Sequence, residues 1–158
     1  MFDVKGHQIK SELQGMVNAE NILAAVAAAL CLRIPFEAIW QGILEVKHIS
    51  GRMQVVRDTP FRIVVDYAHT PDSLERVYKS LEGKKGSDDA SQLVCVLGAA
   101  GGGRDAWKRP EFGKIAAGHC REIIITNEDP FDEPPEQIME AIAVGVRASQ
   151  ATEKMKII

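Results

Sequence analysis

Ile63-Val-Val-Asp-Tyr-Ala-His-Thr-Pro-Asp-Ser-Leu74 decides the fold class, because three β-branched apolar residues run straight into a polar turn that opens a helix. Ile63, Val64 and Val65 carry the pattern of a buried strand. Thr70 suits the cap of the following helix and Pro71 its first turn. Such a turn sets Asp66 and His69 beside the free N–H groups and positive end of the helix, which is where α/β proteins put chemistry. Taken alone, the Asp-x-x-His spacing reads as an ordinary connection in which both side chains satisfy local backbone groups.

Outward from this stretch, the pattern from residue 51 onward is regular α/β. Strands are expected at 53–56 and 62–66, a helix at 71–81, a polar linker at 83–91 and a strand at 93–97. A Gly-rich loop follows at 98–103, then a helix at 110–119, a strand at 122–126, a loop at 127–134, a helix at 135–148 and a last strand from residue 155. Strands alternating with helices imply a parallel or mostly parallel sheet with flanking helices. Ligands then belong at the carboxyl ends of its strands, where three polar loops fall: 66–70, 98–105 and 127–132.

The first fifty residues read differently. Residues 2–13 alternate weakly, as a strand with a turn at Lys5-Gly6. Asn18 opens an Ala-rich helix over 18–33 that Ile34-Pro35 breaks, and a second helix over 35–44 sets Phe36, Ile39, Trp40, Ile43 and Leu44 on one face. Two helices and a strand fragment do not enclose a core, so this segment is expected to pack on the later domain or to be the trailing end of another one.

Composition bounds the function classes. A chain of 158 residues, 46% hydrophobic and 26% charged, suits one compact domain with a real core, or one domain plus a piece of another. The 19 basic and 22 acidic residues are mixed, with a net charge of -3, which gives no electrostatic footprint for nucleic acid or an anionic membrane. The longest apolar segment, 22–32, is too short to span a bilayer, and residues 1–5 lack the apolar centre of a signal peptide. Cys31, Cys95 and Cys120 are isolated and odd in number, which reads as buried thiols of a reduced cytoplasmic protein, with no metal site.

The loop Gly98-Ala-Ala-Gly-Gly-Gly-Arg-Asp105 combines glycines that permit close backbone approach with an arginine able to grip a carboxylate or phosphate. No Gly-Lys-Ser/Thr follows, so it is not a Walker loop, and the Gly-x-Gly-x-x-Gly spacing is absent. A flexible loop with Arg104 paired to Asp105 fits the composition equally well. Lys108-Arg-Pro110 then starts a helix, with Lys108 read as part of a solvated basic turn.

Together these residues carry a family resemblance. Gly51-Arg-Met, Val65-Asp-Tyr-Ala-His-Thr-Pro-Asp-Ser-Leu74, the loop ending Gly103-Arg-Asp with Lys108-Arg-Pro110, and Thr126-Asn-Glu-Asp-Pro130 resemble, in that order, the carboxyl-terminal domain of the Mur ligases, nearest to the UDP-N-acetylmuramyl-tripeptide synthetases. Gly15-Met-Val-Asn-Ala-Glu-Asn-Ile-Leu-Ala-Ala25 resembles the end of the same family's central ATPase domain. The resemblance implies that residues 1–50 end the central domain and that 51–158 form a Rossmann-like carboxyl-terminal domain, cut before its last amino-acid contacts.

It further implies a cytoplasmic, ATP- and Mg2+-dependent amide ligase of peptidoglycan synthesis. In that family the γ-phosphate of ATP passes to the terminal carboxylate of UDP-N-acetylmuramoyl-L-alanyl-D-glutamate, and the amine of a diamino acid attacks the acyl phosphate. Charge develops on phosphoryl oxygens and on the tetrahedral intermediate, which cations and helix N-termini stabilise. Position by position, Asn18 and Asn21 match an asparagine pair near the nucleotide, with Asn21 the better match for the adenine edge. Arg52 and Asp66 match residues that hold the ribose and phosphates, and Tyr67 and His69 share that motif. Arg104 matches the arginine that grips the amino acid's carboxylate, and Glu128, Asp129, Pro130 and Phe131 match the four residues that read its distal end. The ordinary alternative is helix capping for the asparagines, and a surface charge or turn role for Arg52 and Asp66.

Enzymes selecting meso-diaminopimelate typically carry an arginine where this chain has Phe131, so a bidentate partner for a second carboxylate is missing, while Glu128 and Asp129 suit an ammonium end such as that of lysine. The 158 residues contain no Gly-x-x-Gly-Lys-Thr loop, no UDP-sugar domain and no recognisable carbamylated-lysine segment. The chain by itself is therefore expected to be inert, and Met1 to be the start of a fragment. Cyanophycin synthetase, folylpolyglutamate synthetase and a stand-alone amino-acid or nucleotide-binding module are the alternatives.

Overall fold

A computed structural model describes residues 2–4, 7–13, 15–82, 92–103 and 105–158. The expected turn at Lys5-Gly6, the linker at 83–91 and Arg104 lie outside the described residues. The chain divides into two units, Met1–Tyr67 and Ala68–Ile158.

In the first unit, β1 (Phe2–Val4) and β2 (His7–Ile9) pair antiparallel. Helix α1 (Met16–Cys31) starts two residues before the expected position, since Gly15, at a left-handed φ of 88°, turns the chain into it and accepts the Asn18 N–H. Arg33 takes φ 58° and the Ile34 N–H returns to the Ala29 carbonyl, closing α1 ahead of Pro35. Helix α2 (Phe36–Glu45) follows. Ile22 and Val26 of α1 and Ile39 of α2 form a small core, flanked by Leu13, Ala29, Phe36 and Ile43. Trp40 and Leu44, expected on the apolar face, are exposed, because each lies one residue past a core position and so about 100° round the helix.

Strands β3 (Gln54–Arg57) and β4 (Ile63–Val65) pair antiparallel in a two-stranded sheet, which corrects the expectation of parallel strands from residue 51 onward. The connection 58–62 is too short for a parallel crossover and long enough for a hairpin. With one neighbour each, these strands do not become a buried centre: Ile63 and Val65 are exposed and Val64 is half-buried.

The second unit is α/β as expected. Helix α3 (Pro71–Leu81) begins with a reciprocal cap, in which Thr70 Oγ1 accepts the Ser73 N–H and Ser73 Oγ accepts the Thr70 N–H, and Pro71 occupies the first turn. Leu74, Val77 and Tyr78, spaced i, i+3, i+4, are its buried face. Then come β5 (Val94–Leu97), α4 (Lys108–His119), β6 (Glu122–Ile125), α5 (Pro135–Ala148), a 3-10 turn at Thr152–Lys154 and β7 (Met155–Ile157). The strands form a parallel sheet in the order β5-β6-β7. One face of it, with Cys95, Leu97, Ile123 and Ile125, is buried, while Val94 and Val96 on the other are open.

Helices α4 and α5 touch backbone to backbone. A Cβ at Gly145 would stand 1.9 Å from the Pro110 carbonyl oxygen, and one at Gly113 would stand 2.1 Å from that of Ile142. Phe112, Ala116, Ile142, Ala143 and Val146 surround this crossing and are buried. Cys95 and Cys120 are buried thiols as expected; Cys31 is exposed, since it ends α1 away from the Ile22–Val26 stripe. Among the described residues no helix is long and apolar enough to cross a membrane.

Candidate functional site

The carboxyl ends of β5 and β6 feed two loops that are locked together. A Cβ at Gly101 would fall 2.0 Å from the Pro130 carbonyl oxygen, so only glycine allows the approach, and the Gly101 N–H donates to the Asp129 carbonyl at 2.8 Å. Further along, the Gly103 N–H donates to Glu133 Oε1 at 2.7 Å. Glu133 also receives a guanidinium fork from the first turn of α4, with Arg109 Nη1 to Oε2 at 2.7 Å and Nη2 to Oε1 at 2.9 Å. Arg109 Nη2 reaches the Ala100 carbonyl as well, at 3.2 Å. The hydrogen bonds from Arg109 and from the Gly103 N–H hold the Glu133 carboxyl down to about 2, and Glu133 in turn raises Arg109.

Sequence reasoning did not single out Arg109 or Glu133 as functional residues. The arginine is 5% exposed, and its Nε is the one buried side-chain nitrogen or oxygen among the described residues without a partner. Twenty-four residues separate the pair, so no local spacing links them. The only sequence signal was a basic Lys-Arg ahead of a helix-compatible Pro110.

The expected distal-end residues lie on this locked surface. Glu128 and Asp129 are exposed, Pro130 is half-buried, and Phe131 takes a left-handed φ of 51° and lies 70% exposed, its ring about 3.7 Å from where a Gly102 Cβ would stand. Their side chains are therefore presented to solvent while their backbone is held. Lys108, expected as a solvated turn residue, is instead largely covered, with its Nζ 3.8 Å from Asp105.

A second feature of the same unit is an open cleft of about 480 Å³ lined by His69, Thr70, Pro71, Asp72, Asp105, Trp107 and Lys108. It joins the start of α3 to the turn before α4, so the loops containing His69 and Asp105 do meet. Trp107 is 65% exposed there.

In the first unit, Asp66 Oδ2 accepts the Met53 N–H at 2.8 Å, which pins a turn whose residues Gly51 and Met53 both have positive φ. The Arg52 guanidinium stacks 4.6 Å above the Tyr67 ring. Arg52, Asp66 and Tyr67 are thus one cluster, with Arg52 and Tyr67 exposed and Asp66 half-buried. The asparagines separate: Asn18 is 2% exposed and Asn21 lies on the open side of α1. Neither caps the helix, because the N-cap is Gly15 and no side-chain cap bond is made. Among the described residues no group of three His, Cys, Asp or Glu side chains could hold a metal ion.

Residues 51–158 match a family model described as "Mur ligase, glutamate ligase domain". The chain is 37% identical over 145 residues to the UDP-N-acetylmuramoyl-L-alanyl-D-glutamate--2,6-diaminopimelate ligase of Thermosynechococcus vestitus, an alignment that covers 87% of this chain and 27% of that protein. A solved structure of a UDP-N-acetylmuramoyl-L-alanyl-D-glutamate--2,6-diaminopimelate ligase is similar at a TM-score of 0.57 and 35% identity, covering 95% of this chain and 29% of the other. Mycobacterium tuberculosis folylpolyglutamate synthase complexed with ADP is similar at a TM-score of 0.71 but 20% identity, over 95% of this chain and 32% of that one, a likeness of fold alone. The chain thus spans less than a third of the length of each of these proteins.

Proposed function

The chain belongs to the Mur ligase family, and we propose that it is the part of an ATP-dependent peptidoglycan ligase that receives the incoming diamino acid and closes on the nucleotide. On this reading residues 1–50 are the end of the central ATPase domain and 51–158 are the carboxyl-terminal domain. The rest of the ligase supplies the phosphate-binding loop, the Mg2+ site and most contacts to UDP-N-acetylmuramoyl-L-alanyl-D-glutamate, and the reaction runs in the cytoplasm.

ATP phosphorylates the dipeptide's terminal carboxylate, the diamino acid's amine attacks the acyl carbon, the new C–N bond expels phosphate, and the amine gives up a proton. Within this chain, Arg52 offers charge to the ATP phosphates, while Asp66 holds the turn that carries it and Tyr67 the stacking surface under it. Asn21, exposed on α1, is the adenine-edge residue. Arg104 takes the amino acid's α-carboxylate, and Glu128 to Phe131 face its far end. The observation that carries the reading is the surface made by Glu128 to Phe131: a backbone seated against glycines, with its acidic and aromatic side chains turned outward.

The relatives' names carry 2,6-diaminopimelate, whereas one feature of this chain favours a different amino acid. Phe131 offers no fork for a second carboxylate, and the buried guanidinium of Arg109 is already taken up by Glu133. Glu128 and Asp129 place negative charge beside it, which suits a cationic far end, as in lysine. Amino-acid-dependent phosphate release by the whole ligase, with UDP-N-acetylmuramoyl-L-alanyl-D-glutamate as acceptor, tests both levels. Release that depends on a diamino acid supports the ligase reading, and its absence with every amino acid tried overturns it. A preference for meso-diaminopimelate over lysine would sink the specificity reading alone.

A further inference from the structure

We infer that Arg109 and Glu133 are positioning residues that set the shape of the amino-acid site without touching the substrate; the inference rests on the proposed ligase function. The pair closes a ring across three segments. From α4, Arg109 binds both the Glu133 carboxylate and the Ala100 carbonyl; from the far end of the β6 loop, Glu133 holds the Gly103 N–H. The Gly101 N–H to Asp129 bond closes the ring from inside. Glu133 itself is tied back, its N–H donating to the Pro130 carbonyl at 3.0 Å. The residues assigned to the substrate adjoin this ring in sequence: Arg104 follows Gly103 directly, and Glu128 to Phe131 precede Glu133 in the loop whose Asp129 carbonyl accepts the Gly101 N–H.

Two observations argue that this is more than a surface ion pair. Arg109 is buried at 5% exposure and leaves its Nε without a partner, which is a cost that an apolar residue at this position would avoid. The carboxylate also accepts from a loop N–H as well as from the fork, so neutralising it loosens the Gly-rich loop and the arginine together. A lysine could supply the charge of Arg109 but not the planar fork that reaches Glu133 with two nitrogens and Ala100 with one of them.

The test uses the whole ligase and the variants Glu133→Gln and Arg109→Lys. Each is expected to raise KM for the amino acid about tenfold, with kcat and KM for ATP moving less than about threefold, and the double variant is expected to be no worse than the singles because they break one contact. Glu133→Asp, which keeps the charge on a shorter arm, should recover part of the loss. Amide exchange at Gly101 and Gly103, read in the same proteins without substrate, should speed up in Glu133→Gln. Unchanged exchange and unchanged KM for the amino acid would overturn the inference, as would a loss confined to kcat that tracks a falling Tm. Should Glu133→Gln fail to fold, Glu133→Asp carries the same two readings. A wild-type enzyme that ligates no amino acid would fail the ligase reading, while the exchange data would still decide whether the pair pins the loops.

Discussion

The two clusters assigned to substrate are built in opposite ways. Around Arg52, Asp66 and Tyr67, a single carboxylate-to-amide bond holds a turn with two left-handed residues, and Arg52 lies on an exposed aromatic ring. Around Gly101 and Glu128 to Phe131, two loops are joined by glycine contact, two loop amide bonds and a buried guanidinium fork, on top of a parallel sheet. The difference teaches where each kind of order comes from. The second cluster draws its order from helices α4 and α5, packed at backbone distance, whereas the first sits at the end of a two-stranded sheet.

The largest effect that would break this contrast is at the helix crossing. Gly145→Ala puts a methyl group 1.9 Å from a carbonyl oxygen that cannot rotate away, and a loss of about 3 kcal/mol is expected from overpacking of this kind, read as a lowered unfolding midpoint. Next, Asp66→Ala removes the acceptor for the Met53 N–H, with an expected loss of about 2 kcal/mol for a charged hydrogen bond and a weaker ATP response in the whole enzyme. Asp66→Asn, which keeps an acceptor, should lose less. Smaller still, Gly42 in α2 has nothing within 4 Å of a built Cβ, so Gly42→Ala should stabilise by about 0.7 kcal/mol through helix propensity. The same substitution chemistry thus has opposite signs in the two regions.

The smallest expected effect is that of mild acid on the Arg109–Glu133 clamp. The folded-state value of Glu133 is depressed to about 2, so its contribution is fully present above the unfolded carboxylate value of about 4.3 and is lost only as pH falls through the folded one. Exchange at the Gly103 amide, corrected for its intrinsic pH dependence, should therefore show no change in protection between pH 7 and 5. A loss of protection already near pH 5 would break the clamp account.

How far the sequence was legible follows the range of the forces. The Thr70–Ser73 cap, Pro71 and the strand-helix order of the second unit's described elements are local and read correctly from Pro71 to Leu81 and from Val94 to Ile157, whereas β3 and β4 of the first unit turned out to be a hairpin. That exception came from weighing apolar runs more heavily than the five-residue connection between them. On the site, motif order brought Arg52, Asp66 and Tyr67 forward, and the structure brings them together. Arg109 and Glu133 were passed over because their link spans twenty-four residues and depends on a helix start that the pattern had set two residues late.

The central claim is that the two clusters serve different substrates, and one comparison tests it most directly: KM for ATP and KM for the amino acid, measured in the whole ligase with Arg52→Ala and with Arg104→Ala. The account predicts that Arg52→Ala raises KM for ATP about tenfold, the worth of a charge-assisted contact, with little change for the amino acid, and that Arg104→Ala does the reverse. Substitutions that shift both constants equally, or that exchange these effects, would contradict it.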